Sequence, residues 1–288
     1  MQVNVPNDTW FAGRQAVLAT MHKKESVIAP LLARTLGITL TVPERFDTDR
    51  FGTFTREIPR LSDQRTTAIA KATAALNATG ADLALASEGS FSAHPTLPFL
   101  PSNLELIVLL DRRHNLEIVG HYRTSSVQAR GQSVTTPEEA TAVAEAWGFP
   151  DQGIIVRRTE HDTRTLYKDM STSSELAAIS RKLLRGLFTR SIHLETDMRA
   201  HRCPARRESI TQATLHLIEQ CQHHCPRCDT PGFVVTDVVR GLPCHQCQLP
   251  TDRPRELVRT CQHCAYHTVT PPEGPAAADP SACAHCNP

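Results

Sequence analysis

Eight of the ten cysteines in this 288-residue chain fall into four Cys-x-x-Cys pairs: Cys225 and Cys228, Cys244 and Cys247, Cys261 and Cys264, Cys283 and Cys286. No other feature restricts the fold as much. Each such turn aims two thiolates at one point, and two turns complete the tetrahedral sulfur cage that Zn²⁺ prefers. The gaps of 15 residues between the first two pairs and 18 between the last two fit four-cysteine zinc spacing. Sequential pairing predicts two zinc ribbons in a row; interleaved pairing uses the same eight ligands. Four thiolates leave no open coordination position, so both ions are expected to be structural. Cys203 and Cys221 are left over and read as buried thiols.

A disulfide framework is the competing reading. The first twenty residues lack an apolar stretch ending in a small-residue cleavage site, and reduced cysteines suit a cytoplasmic chain. No apolar run approaches the ~20 residues that span a bilayer, so an integral membrane protein is not expected. The net charge of +1 does not advertise a polyanion binder. From Cys221 to Pro288 five Arg and no Lys face six Asp and Glu, and each four-thiolate zinc adds further negative charge. Nucleic acid is therefore disfavoured as a partner of the ribbons, although Arg199, Arg202, Arg206 and Arg207 form a basic cluster just upstream.

Residues 1–200 alternate strand and helix patterns. Strands are predicted at 14–20, 38–42, 81–86, 154–158 and 191–195, with a hairpin at 104–110 and 116–122. Helices are predicted at 24–36, 63–77, 137–146 and 173–188. Polar, Pro- and Gly-rich stretches at 43–60 and 87–102 read as long loops. The expected architecture is α/β: a mixed sheet with flanking helices over 1–200, a connecting helix over 201–224, and a small tandem zinc-ribbon module over 225–288.

In open α/β sheets ligands bind beyond the carboxyl ends of the strands. After the first strand come Thr20, His22, Lys23 and Lys24, opening a helix whose amides and dipole favour an anion such as phosphate. After the strand at 81–86 comes Glu88, beside Gly89. Asp49, Glu195 and Asp197 are acids at comparable positions. Together they supply the parts for a Mg²⁺-assisted chemistry on a nucleotide, with Lys24 on phosphate and the acids on metal. No GxSxG elbow, Walker loop or GxGxxG is present.

The segments ATMHKKE, FDTDRFGTFTREIPR, ASEGSF, PFLPSNLELIVLLDR, IVGHYRT, ETDMRAHRCPARR and GLPCHQCQLPT resemble an uncharacterised bacterial family, domain-of-unknown-function family 6671, over almost the whole chain. Thr20 and Lys24, the helix carrying Lys71, the Glu88-Gly89 pair and the hairpin ELIVLLD/LEIVGHY are also similar to pyrophosphatases that clear inosine and xanthosine triphosphates. That second resemblance implies Lys24 on phosphate and Glu88 on Mg²⁺. It departs from the pattern at the single acid before Gly89 and in the added PTLPFLPSN loop. The rival expectation is a non-catalytic adaptor whose ribbons dock a protein or RNA.

Overall fold

The computed structural model describes residues 10–44, 46–48, 51, 63–186 and 189–288. The chain divides into two compact units, one comprising 1–113 and 119–218, the other 114–118 and 219–288. The division falls inside the helix that sequence patterning placed between domains.

The first unit begins with strand β1 (Gln15–Ala19), whose last four residues are all buried, the mark of a strand covered on both faces. Helix α1 (Glu25–Leu36) follows and stops at Gly37, whose φ of 67° gives the left-handed cap that glycine adopts without steric cost. It leads to β2 (Thr39–Thr41). Helix α2 (Gln64–Thr79) is capped by Asp63, which accepts from the Arg65 and Thr66 amides. Strands β3 (Leu83–Ala93), β4 (Pro101–Asp111) and β5 (Leu116–Thr124) complete a sheet of order β2-β1-β3-β4-β5. β1 runs parallel to β2 and β3, and β3 antiparallel to β4. The small side chains Ala68, Ala72 and Ala75 let α2 lie close on Val17, Ala19, Ala84, Ala86 and Val108.

A second sheet, of order β6-β9-β7-β8, is built from β6 (Gly131–Val134), β7 (Ile154–Arg157), β8 (Leu166–Tyr167) and β9 (Ile192–Thr196), every pairing antiparallel. Helices α3 (Pro137–Ala146) and α4 (Ser173–Leu184) start at Thr136 and Thr172, the latter in a reciprocal capping box with Glu175. They enclose Val134, Ile154, Val156, Ile192 and Leu194. The α/β class with its mixed sheet and flanking helices therefore holds, but two sheets replace the single one expected. The loop expected at 87–102 is also mostly strand, because Glu88 to Ala93 pair with Leu106 to Pro101. Its polar side chains hid the alternation.

Helix α5 (Pro204–Gln222) packs Ala213 and Leu217 on Gly120 of β5, where a Cβ would sit 2.5 Å from Ala213 O. In the second unit, β10 (Val235–Arg240), β11 (Pro254–Thr260) and β12 (His267–Thr270) form an antiparallel sheet in that order. No described helix is long and apolar enough to cross a membrane.

Candidate functional site

The four cysteine pairs fold into one recurring turn. The amides of Asp229, Gln248, Ala265 and Asn287 donate to the carbonyls of Cys225, Cys244, Cys261 and Cys283 at 2.8, 3.0, 3.1 and 2.9 Å. Asp229, Gln248 and Ala265 take positive φ of 60°, 63° and 56°, which swings the chain back so that both sulfurs of a pair face the same way.

Cys225, Cys228, Cys261 and Cys264 form one group, and Cys244, Cys247, Cys283 and Cys286 the other. This corrects the tandem, sequential pairing: the ligands interleave, first pair with third and second with fourth. The reason lies in the three-stranded sheet. Val235 at the start of β10 pairs with Arg259 near the end of β11, so the pairs before β10 and after β11 meet at one end. β12 runs back along β11, with Leu257 opposite Thr270, so it delivers the last pair to the opposite end. There the Ala278 amide donates to Pro243 O and the His245 amide to Ala278 O.

Within each group the sulfurs of the two pairs meet at 3.7 Å for Cys225 to Cys264, 3.6 Å for Cys228 to Cys261, 3.9 Å for Cys244 to Cys286 and 3.6 Å for Cys247 to Cys283. A tetrahedron with ~2.3 Å metal–sulfur bonds has edges of about 3.8 Å, so each group can hold a zinc ion. The Thr230 hydroxyl, 3.2 Å from Cys228 Sγ, pulls that thiol down to about 6, and the Cys286 and His285 amides bring Cys283 to about 7. The neighbouring Cys247 pushes Cys286 up to about 12, a conflict that a cation among the sulfurs relieves. Phe233 and Tyr266 stack at 6.0 Å beside the first group, and Gln262 clasps the Glu117 backbone through both side-chain atoms, at 3.0 and 2.7 Å. Cys203 and Cys221 are buried, as expected of spare thiols.

The first unit carries a different constellation. From β1 the chain crosses through α1 to β2 on one side and then through α2 to β3 on the other. The carboxyl ends of β1 and β3 therefore flank a point where the connections diverge, the place at which α/β sheets bind ligands. Lys24, only 6 % exposed, donates to Ser87 O at 2.9 Å and to Ser87 Oγ at 3.1 Å. Burial lowers its ammonium to about 8, and Arg206 adds to the shift. On the opposite face of β3, Glu88 forms an ion pair with Lys71 of α2.

Beside Lys24, Glu105 and Arg206 are both 0 % exposed and joined by bonds of 2.6 and 3.1 Å, with Asn103 Nδ2 donating to Glu105 at 3.1 Å. Burial alone would raise the Glu105 carboxyl, but Arg206 and Lys24 hold it below its ordinary value. His22 stacks on His201 at 5.5 Å, and burial with the charges of Lys24, His201, Arg199 and Arg206 drives its imidazole down to about 3. The His22 imidazole is thus kept neutral among Lys24 and arginines that are themselves paired with Glu105, Asp197 and Asp169.

Of the residues that sequence reasoning named here, Thr20, His22, Lys23 and Lys24 follow β1 into this crevice, whereas Glu88 faces Lys71 across β3 from it. Thr20 Oγ1 accepts from the His22 amide at 3.4 Å. Lys23, with φ 54°, lines a cavity of about 400 Å³ together with Thr20, Glu25 and Phe46. The acids do not gather around a shared metal. Glu195 receives Arg157 Nε at 2.8 Å, and Asp197 receives Arg199 Nε and Nη2 at 3.0 and 2.6 Å. Asp49 lies outside the described residues. Among the described residues the two cysteine groups are the clusters suited to a metal, and the carboxylates expected on Mg²⁺ make no such cluster. Glu88, Glu195 and Asp197 each have a basic partner instead.

Glu105, Asn103 and His201 escaped notice because nothing local in the sequence marks them. Arg199 and Arg206 were noticed as members of a basic cluster upstream of the ribbons; both are buried in ion pairs.

The family model described as Domain of unknown function (DUF6671) matches residues 71–288, a span that includes Lys71, Glu88, Glu105, Arg206 and all eight cysteine ligands. No curated protein matches the chain. The likeness to inosine and xanthosine triphosphate pyrophosphatases gains no support from these comparisons.

Proposed function

This chain belongs to the DUF6671 family of unknown function, and we propose that its first unit binds the phosphates of a nucleotide at the β1/β3 crevice and hydrolyses them, while the two cysteine centres hold structural zinc. One observation carries the reading. Lys24 is buried, and among the described residues its ammonium contacts are the carbonyl and hydroxyl of Ser87, not a carboxylate. Glu105 and Glu88 lie within its field but neither bonds it; a buried ammonium that no carboxylate touches is costly, and at a strand-end crevice an incoming anion supplies a directly bonded partner.

The chain's own residues divide the work. Lys24 holds phosphate; Lys71 and Arg206 fix Glu88 and Glu105 so that neither carboxylate repels it; His22, kept neutral by burial and the charges around it, adds a hydrogen-bonding group without a charge. Among the described residues the acids make no Mg²⁺ cluster, so the ion enters as the companion that a nucleoside triphosphate carries in water.

The test is calorimetry with inorganic phosphate and pyrophosphate on zinc-loaded protein, followed by a nucleoside triphosphate panel with Mg²⁺ or Mn²⁺, comparing wild type with Lys24→Met and Glu88→Gln. Saturable phosphate binding lost in Lys24→Met supports the crevice; phosphate or pyrophosphate release by wild type that is lost in Lys24→Met supports the hydrolase, with Glu88→Gln reporting on the Lys71 pair behind it. Binding of neither phosphate nor nucleotide sinks the reading and leaves the zinc-ribbon adaptor, docking a protein or RNA partner, as the function to pursue.

A further inference from the structure

The second sheet has two unlike faces. Val134, Ile154, Val156, Ile192 and Leu194 point to the apolar core under α3 and α4. By strand alternation the other face presents Gly131, Ser133, Ile155, Arg157, His193 and Glu195. The register sets Gly131 and Ile155 on either side of Glu195, and Ser133 and Arg157 on either side of His193. Arg157 and His193 are buried. An inward-facing sheet surface is ordinarily apolar, because polar groups lose hydration there. A polar one is retained where something polar is to be met.

A cavity of about 400 Å³ opens on this face, lined also by Thr196, Asp197 and Met198, and it has Phe91 of β3 in its wall. Its polar lining is held in place from behind: Arg157 Nε bonds Glu195 at 2.8 Å while Arg157 Nη1 donates to Asp162 O at 2.8 Å. Gly131 permits the arrangement, since a Cβ there would lie 2.9 Å from His193 Nε2. An aromatic ring together with fixed carboxylate, imidazole and hydroxyl groups suits a flat solute with an apolar face and a hydrogen-bonding edge. The cavity and the Lys24 crevice share a wall. Arg206, paired with Glu105, also donates to Met198 O and stands 5.9 Å from the centre of the Phe91 ring.

We infer that this cavity seats the planar heterocycle of the ligand whose phosphates Lys24 holds, a nucleobase lying against Phe91 with its edge toward Glu195 and His193. The inference rests on the phosphate reading for its second half only, since the cavity recognises the ring by itself.

Free purine and pyrimidine nucleosides and inorganic phosphate, titrated separately into zinc-loaded full-length protein, test it. Nucleosides are expected to bind wild type, to bind Lys24→Met equally well, and to bind Phe91→Leu at least about tenfold more weakly, the scale of a lost base stack. Phosphate is expected to do the reverse, bound by Phe91→Leu and not by Lys24→Met. Ile155→Phe, which fills the cavity from its apolar wall, provides a second blocking variant should Phe91→Leu fail to fold. Wild type that binds phosphate but no nucleoside overturns the cavity and leaves the crevice standing. Nucleoside binding without phosphate binding supports the cavity and overturns the crevice. Nucleoside binding indifferent to both cavity variants overturns the assignment of the ring to this cavity.

Discussion

The Lys24 ammonium lies 2.9 Å from the Ser87 carbonyl oxygen and 3.1 Å from the Ser87 hydroxyl, buried at the carboxyl end of β1. Two neutral oxygens replace only part of the hydration that a charge loses on burial. The folded state therefore carries a cost that an anion would remove. Lys24→Met should raise unfolding free energy by about 1–3 kcal/mol in urea denaturation while abolishing phosphate binding. A variant that is both less stable and still able to bind would contradict the site.

The same burial fixes a pH signature. Lys24 titrates near 8 in the folded chain against an ordinary 10.5. Between those values the unfolded chain binds a proton that the folded chain has lost, so the cost of burial is present in full below pH 8 and fades as pH rises to 10.5. Stability of wild type relative to Lys24→Met should accordingly improve across that window, while phosphate affinity falls above pH 8. A flat difference between the two proteins from pH 8 to 10.5 would exclude this shift.

His22 behaves in the acid range. Its folded value near 3, against 6.5 ordinarily, means that the unfolded chain takes up a proton first as pH falls. Stability is lost between pH 6.5 and 3 at up to ~1.4 kcal/mol per pH unit. His22→Gln should lose less over that range, read as a smaller drop in thermal midpoint.

Interleaved and sequential zinc pairing are separable by counting ions. Substituting Cys225 and Cys261 by Ser removes two ligands from one group and should leave about one zinc per chain by mass spectrometry under native conditions. Substituting Cys225 and Cys244 damages both groups and should leave about none. Sequential pairing reverses the two results.

Gly89 lies under the Glu105–Arg206 pair, where a Cβ would come within 2.5 Å of Glu105 Oε1. Gly89→Ala should part the two charges and destabilise the protein by about 3–5 kcal/mol, the usual cost of breaking a buried pair. The double variant Glu105→Leu with Arg206→Met, which removes both charges, should cost less than Glu105→Leu alone.

What the sequence determined by itself is local. Helix α3 spans the predicted 137–146, and α1 and α2 begin within one residue of expectation, because capping residues, terminal glycines and apolar spacing act over a few positions. The cysteine turns were legible for the same reason: a Cys-x-x-Cys turn aims two sulfurs whatever surrounds it. Tertiary structure decided which turns meet, since that depends on which ends of β10, β11 and β12 lie together. It also decided which charges neutralise which. Glu105 and Arg206 are 101 residues apart in sequence, and Glu195 and Asp197, read as metal-type acids, are held by arginines that no spacing rule connects to them. The polar run at 87–93 looked like loop because strand pairing is a long-range bond: its partner, not its own composition, makes it a strand.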